Sequence, residues 1–370
     1  GVRRQRQMCI RDRSSCVSIE PLETKLGRKR KINQSTCNKD YTCLKGFCPS
    51  FVSVDAQLQA RTTSHKIDGL PDPKHKVSDG VSNIILTGIG GTGVLTVSAI
   101  TAMAAHYEGK ESTILDMTGL AQKGGAVWSH IKIYEKNVKT FSHKIAPATA
   151  NLFLACDAVV GTKPEIQEVL SDKKTYSIIN SDTIPVADFV TNRDLDFKDD
   201  EVLKVIDKTT KDIDITVPAI KIAENLCGDA IAANIMMLGA AYQLGHIPLK
   251  EESIKYAIKL NGIGVEKNIY SFNLGRLYAF NPKDKIFKFL NSFKEKEQTT
   301  ESVLKDRLER LAIYDKKEID FFNSKVNFTK DLIKNELETE ELLKKTIKEI
   351  YRVIAVKDEY EVARMHLETS

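Results

Sequence analysis

No stretch of the 370 residues is apolar for long enough to cross a membrane. The longest apolar run, AIAANIMMLGAAYQL from Ala230, is interrupted by Asn234 and Gln243 and falls short of the ~18 residues a spanning helix needs. The Arg-rich N-terminus carries no apolar core of the kind a secretory signal requires. A surplus of one charge is missing too: 55 Lys and Arg against 50 Asp and Glu leave a formal net charge of +5. The densest basic run, Arg28-Lys29-Arg30-Lys31, has no interleaved aromatics on which bases could stack. It is expected as a solvated turn or strand edge, not as a nucleic-acid site. No internal repeat is found. These absences point away from membrane, export and nucleic-acid roles. They favour a cytoplasmic globular protein with room for two or three domains.

What is present is uneven. Five of the seven cysteines fall in residues 1–56: Cys9, Cys16, Cys37, Cys43 and Cys48. In a reducing compartment such a cluster reads as metal ligands or redox thiols, not as a disulfide framework. The spacing from Cys37 is C-x5-C-x4-C-P, with Cys48 directly before Pro49. A zinc site usually contains a close C-x2–4-C pair, which is absent here. Small core residues remain the plainest alternative for some of these thiols. Cys156 and Cys227 stand alone in apolar contexts and are expected to be buried structural thiols. His130 and His143 could serve as acid or base by residue type alone, and a satisfied structural histidine is expected for each.

Residues 57–82 are polar, punctuated by Pro and Gly and without apolar period, which reads as a linker. Residues 83–280 alternate short apolar runs with helical patterns, the mark of an α/β domain. From residue 281 the chain is rich in Lys and Glu and carries two helical stripes, Leu304-Leu308-Leu311 and Leu343-Ile347-Ile350. The α/β part opens with a buried-strand run, Asn83 to Thr87. A glycine turn follows (Gly88, Gly90, Gly91, Gly93), and then helical composition from Val94 to His106. Glycines at 88, 90 and 93 match a dinucleotide fingerprint, and Asp116 ends the next strand run where a ribose-binding acid would stand. Only MTGLAQKGG separates Asp116 from the strand pattern starting at Ala126, too little for a helical crossover. The strand Ala126–Tyr134 is therefore expected to pair antiparallel to a neighbour or to lie at a sheet edge. The glycine turn is expected to be structural or anion-contacting, with Gly90 as a position where φ > 0 excludes β-branched residues. Gly124-Gly125 reads as a second close-approach loop facing the first, and Asp229 as the cap of a buried helix running to Leu244.

Three segments together resemble the gamma domain of the 2-oxoacid:ferredoxin oxidoreductases: the GxGGxG turn, the loop and strand GLAQKGGAVWSHIKI, and GDAIAANIMMLGAAYQLGHIPLKEESIKYAI with its Leu238-Gly239 step. Upstream, SCVSIEPLETKLGRKRKINQSTCNKDYTCLKGFCPSF resembles the ferredoxin-type segment of the fused indolepyruvate ferredoxin oxidoreductases, and KDEYEVARMH resembles their helical extension. The resemblance spans residues 14–370. It implies an α/β, Rossmann-like gamma domain (83–280), a truncated Cys-rich ferredoxin-like segment (14–56), and a truncated helical extension (281–370). Residues 1–13, GVRRQRQMCIRDR, do not resemble the family and are expected to be a non-native leader, so Cys9 is set aside.

The resemblance also implies a function: oxidative decarboxylation of an aryl 2-oxoacid such as indolepyruvate to an acyl-CoA, with electrons passing to ferredoxin. Thiamine diphosphate and Mg would reside in a portion not recognisable in this sequence, coenzyme A would be co-substrate, and the intact enzyme would be a homodimer. The chain alone is expected to be an inactive fragment. Cys16, Cys37 and Cys43 would be ligands of one 4Fe-4S cluster, while Cys48, as the Cys before Pro in paired-cluster ferredoxins, would belong to the other cluster and could serve the first only as a makeshift fourth ligand. Gly88, Gly90, Gly91, Gly93, Lys123, Gly124 and Gly125 would face the cofactor. No residue is expected to be catalytic in its own right. A non-catalytic nucleotide- or anion-binding module with a structural metal is the alternative.

Overall fold

Short apolar runs bounded by glycine and polar residues form the strands, and longer Ala- and Leu-rich stretches form the helices. The computed structural model describes residues 18–24, 27–33, 37, 65–67, 69–76, 80–119, 125–138, 142–182, 199–293, 299–333, 339–355 and 364. These fall into two units, one drawn from residues 1–32 and 292–370, the other from 33–37 and 58–291. In the first, β1 (Ile19–Thr24) and β2 (Gly27–Ile32) form an antiparallel pair. The register sets Glu20 opposite Lys31 and Glu23 opposite Arg28, so the basic run lies within a strand.

The second unit is built on a six-stranded sheet of β3 (Val81–Ile89), β4 (Glu111–Thr118), β5 (Ala126–Tyr134), β6 (Leu152–Ala155), β7 (Tyr176–Asn180) and β8 (Asp212–Val217). The spatial order is β4-β5-β3-β6-β7-β8. β3, β6, β7 and β8 pair in parallel, as suits runs such as LFLA that are buried on both faces. β5 is antiparallel to both β3 and β4, the outcome the short connection requires. It lies in the sheet interior, and β4 takes the edge. That insertion separates β4 from β3 and breaks the adjacent βαβ pair on which a dinucleotide crevice depends. Asp116 is thereby used structurally: its carboxylate accepts hydrogen bonds from Ser98 Oγ (3.3 Å) and Ser129 Oγ (2.5 Å).

Helix α1 (Val94–Tyr107) follows β3, and α2 (Asp199–Thr209) precedes β8. After β8 come α3 (Ala233–Gln243), α4 (Glu251–Asn261) and α5 (Val265–Phe280). Asp229 starts the α3 region by accepting the Ile231 N–H (3.1 Å), which caps a short 3-10 turn leading into the helix. Every residue of α3 from Ala233 to Tyr242 is buried. A helix apolar on all sides must be covered on all sides, and α5 supplies one cover. The crossing has no room for side chains. A Cβ at Gly239 would overlap the Phe272 carbonyl oxygen, and one at Gly275 would overlap that of Met236. Ser271 Oγ donates to Ala232 O (2.5 Å) at the same crossing.

Buried Arg276 extends this contact outward. Its Nε donates to Gln243 Oε1 (2.8 Å), its guanidinium pairs with Glu251 and lies over the Tyr242 ring (5.1 Å), and one N–H reaches Pro71 O (3.3 Å). Residues around Pro71 are held elsewhere as well. Gln243 Nε2 donates to Pro71 O (2.9 Å), Lys76 N to Gly245 O (2.8 Å), and Lys76 Nζ pairs with Asp214 (2.9 Å). In the first unit, α6 (Thr300–Tyr314), α7 (Glu318–Leu332) and α8 (Thr339–Ile354) bury Leu311, Phe322, Val326, Leu343 and Ile347 together. Leu304, Leu308 and Ile350 pack against that core, so both stripes read from the sequence face it.

Because backbone blocks any Cβ at the α3–α5 crossing, Gly239→Ala is expected to lower stability by about 3 kcal/mol, the upper part of the range for overpacking. Urea unfolding checks this; a midpoint within error of the wild type would show that the helices separate freely.

Candidate functional site

β3 ends at Ile89, and the chain turns sharply before α1. Ile89 O accepts both the Thr92 N–H (3.3 Å) and the Thr92 hydroxyl (2.7 Å). The left-handed conformations fall at Gly91 (φ 84°) and Gly93 (φ 90°), not at Gly90. The expectation that Gly90 carries the φ > 0 requirement is therefore corrected. Its N–H donates to Gly125 O (2.7 Å), tying the turn to the loop before β5. Gly88 serves packing: a Cβ there would run into the Val94 side chain at the start of α1. Gly93 stands at the N-cap of α1 with no side-chain cap. Lys123 and Gly124 lie outside the described residues, so of the second loop only Gly125 is placed.

Beside the turn is a small cleft, partly open to solvent, at the carboxyl ends of β3, β6 and β7. Ligands of open α/β sheets bind at this kind of position. Gly91 and Thr92 form one wall, Cys156 and Asn180 the strand ends, and Ile231 and Asn234 the wall leading into α3. Asn180 is fully engaged: Nδ2 donates to Cys156 O (3.1 Å), while Oδ1 accepts from Asp182 N (3.1 Å) and Ala219 N (3.2 Å). It braces the strand ends. Asn234 is buried, and its Nδ2 donates to Thr92 O (2.7 Å) and lies 3.1 Å from Thr92 Oγ1.

Neither Thr92, Asn180 nor Asn234 is singled out by a motif. The one signal in the sequence is that Asn234 interrupts an otherwise apolar helix, where a buried amide must find partners.

Asn33 also borders the cleft, and its carbonyl accepts the Cys37 N–H (3.1 Å). Cys37 is half-buried; Cys16, Cys43 and Cys48 lie outside the described residues. Among the described residues no group of three His, Cys, Asp or Glu is placed to hold a metal ion. Cys156 and Cys227 are buried as expected. Burial and then the neighbouring Asp157 carboxylate push the Cys156 thiol far up, and burial pushes Cys227 up to about 11. Both stay protonated and unreactive.

His130 is buried in β5, and its Nδ1 accepts the Ile145 N–H (3.4 Å). Burial, then the charges of Lys144 and Lys132, lower its pKa from 6.5 to about 4. His143, by contrast, is exposed, so the expectation of a satisfied structural histidine fails there. Its immediate neighbours, Ser142 and Lys144, are polar and exposed with it.

Residues 83–278 match the profile of the family described as pyruvate ferredoxin/flavodoxin oxidoreductase. Indolepyruvate oxidoreductase subunit IorB of Archaeoglobus fulgidus is 27% identical over 196 residues, covering 52% of this chain and 92% of that one. Ketoisovalerate oxidoreductase subunit VorA of Methanothermobacter marburgensis is 29% identical over 214 residues, 58% of this chain and 39% of that one. Among solved structures, the gamma subunit of a keto/oxoacid ferredoxin oxidoreductase from Geobacter sulfurreducens is similar at 23% identity and a TM-score of 0.38, covering 54% of this chain and 98% of that one.

Two predictions follow from the site's geometry. Gly91→Ala and Gly93→Ala should each cost about 1–2 kcal/mol of stability, the penalty of a left-handed L-residue, and Gly90→Ala less than either. Denaturant midpoints of the three variants rank them; a larger loss at Gly90 would contradict the φ assignment.

The second concerns acid stability. An unfolded chain protonates His130 near pH 6.5, whereas the folded chain does so only near pH 4. Stability from the neutral buried ring is thus complete above pH 6.5 and falls as pH drops toward 4, by about 3 kcal/mol at most. His130→Asn, which keeps an acceptor for Ile145 N–H, should flatten that part of the stability–pH curve. Parallel curves for variant and wild type would contradict it.

Proposed function

Given that the chain belongs to the pyruvate ferredoxin/flavodoxin oxidoreductase family, as a gamma-domain member of the 2-oxoacid:ferredoxin oxidoreductases, we propose that it works as the cofactor-covering and docking part of an enzyme that oxidatively decarboxylates an aryl 2-oxoacid such as indolepyruvate. The overall reaction is 2-oxoacid, coenzyme A and oxidised ferredoxin giving acyl-CoA, carbon dioxide and reduced ferredoxin. The observation that carries this reading is the placement, within the matched segment, of the Gly88–Gly93 turn against a cleft at the carboxyl ends of parallel strands. The near full-length coverage of an indolepyruvate oxidoreductase subunit supports the aryl substrate.

Each part of the chain has a task in this scheme. Gly91 and Gly93 let backbone approach a bound anion without a Cβ in the way: around Gly93 an added Cβ would meet no protein atom within 4 Å. The Gly90–Gly125 bond sets the spacing between the two glycine loops, and Lys123 gives the second loop a basic residue in sequence. Thiamine diphosphate with Mg, bound by a partner portion, supplies the electron sink for decarboxylation. Cys16, Cys37 and Cys43, with Cys48 as a further thiol, would hold a 4Fe-4S cluster, which would supply the electron exit toward ferredoxin. His130, buried and neutral, takes no part in proton transfer.

The test is turnover with indolepyruvate, coenzyme A, thiamine diphosphate, Mg and a viologen acceptor. This chain alone should give none above the no-protein control. Co-expressed with the thiamine-diphosphate-binding portion of such an enzyme, it should give coenzyme-A-dependent viologen reduction. Turnover by the chain alone would refute the division of labour, and no turnover by the assembled complex with any aryl 2-oxoacid would refute the substrate class.

A further inference from the structure

The glycine turn has few internal means of holding its shape. Glycines at 90, 91 and 93 leave it entropically free in the unfolded chain, and α1 begins without a side-chain cap. One side chain from a distant part of the sequence fixes it. Asn234, 142 positions away and only 6% exposed, places Nδ2 2.7 Å from Thr92 O and 3.1 Å from Thr92 Oγ1. The Thr92 carbonyl can only accept, so the amide nitrogen, not its oxygen, must face it. The Thr92 hydroxyl is already committed as a donor to Ile89 O (2.7 Å), so toward Asn234 it too can only accept. All protons in this set are thereby assigned: the Asn234 amide donates to Thr92, and Thr92 donates to the end of β3. The chain of bonds links the buried helix α3 to the strand end through the middle of the turn.

We propose that Asn234 is a positioning residue, which holds the glycine turn in the conformation needed to face the cofactor; this rests on the reading of that turn as the cofactor-facing surface. The requirement is for a donor. Asparagine meets it at any pH, whereas an aspartate of the same shape meets it only when protonated. As a carboxylate, Asp would aim a negative oxygen at the Thr92 carbonyl, and burial would raise its pKa above the ordinary value near 4. A residue that merely fills space would show no such dependence on the proton.

The experiment compares Asn234→Asp with the wild type. Amide exchange of Gly90 and Thr92 is measured in the full chain at about pH 8 and about pH 5, on either side of the raised carboxyl pKa. Each value is normalised to the wild type at the same pH, which removes titration of Asp157 and of the Asp229–Lys267 pair near the cleft. Protection at the two amides should fall about ten-fold at the higher pH, the size expected for losing a buried hydrogen bond, and return at the lower pH. In the complex assembled with the thiamine-diphosphate-binding portion, kcat should follow the same pH pattern.

Protection equal to the wild type at both pH values would overturn the clamp. Protection that follows pH while kcat stays at the wild-type level would overturn the positioning role. An inactive wild-type complex would sink the proposed reaction and leave the clamp to be judged by exchange alone. Should Asn234→Asp not fold, Thr92→Val removes the Oγ1 contacts and keeps the carbonyl. It is expected to weaken protection of Gly90 by about two- to three-fold, the effect of one partial hydrogen bond, and an unchanged value would count against the clamp.

Discussion

Two helix backbones can touch only where no Cβ stands between them, and the α3–α5 crossing meets that condition with one glycine on each helix. Gly239 leaves space for the Phe272 carbonyl, and Gly275 for that of Met236. With the backbones in contact, α3 has almost no freedom to slide or rotate, because interiors packed to this density resist continuous deformation. The position of α3 fixes Asn234 at its first turn, and Asn234 fixes Thr92 in the glycine turn. Tyr242 and Phe272 (ring centroids 5.6 Å apart), Arg276 and the Ser271–Ala232 hydrogen bond lock the same pair of helices at other points along their length. The candidate site is thus held from beneath by a contact made with glycine.

The second wall of the site depends on chain direction. Folding back after Thr118 brings Gly125 to the turn, where its carbonyl receives the Gly90 N–H. A helical crossover at this point would have carried the chain away and left room for a neighbouring parallel strand. The antiparallel hairpin closes that option and sends Asp116 into a pair of serine hydrogen bonds. One short connection therefore accounts both for the loss of a dinucleotide crevice and for the approach of two glycine loops.

Much of this was legible in the sequence, for reasons that are local. A nine-residue gap cannot hold a crossover helix, so the antiparallel β5 could be expected before any coordinates. Apolar stripes at helical spacing had to face a core, and Leu311 and Ile347 do. The Gly90 expectation failed because spacing identifies a turn but not which of its residues takes positive φ; that depends on hydrogen bonds to Gly125, far along the chain. The interior placement of β5 was open because pairing partners are non-local. Asn180 and Asn234 were invisible as site residues, since their significance lies in which carbonyls they meet after folding. His143 was read by residue type, and solvent exposure set it apart from His130.

The central claim is that the crossing of α3 and α5 sets the geometry of the glycine turn. Hydrogen exchange at Gly90 in a Gly275→Ala variant, under conditions where the variant stays folded, tests it most directly. Residue 275 contributes no atom to the turn, so the change can reach Gly90 only by displacing α3 and with it Asn234. Weakened protection at Gly90, alongside unchanged protection in β6 and β7, is the result this account predicts. Wild-type protection at Gly90 in a variant whose α3–α5 contact has been forced apart would contradict it.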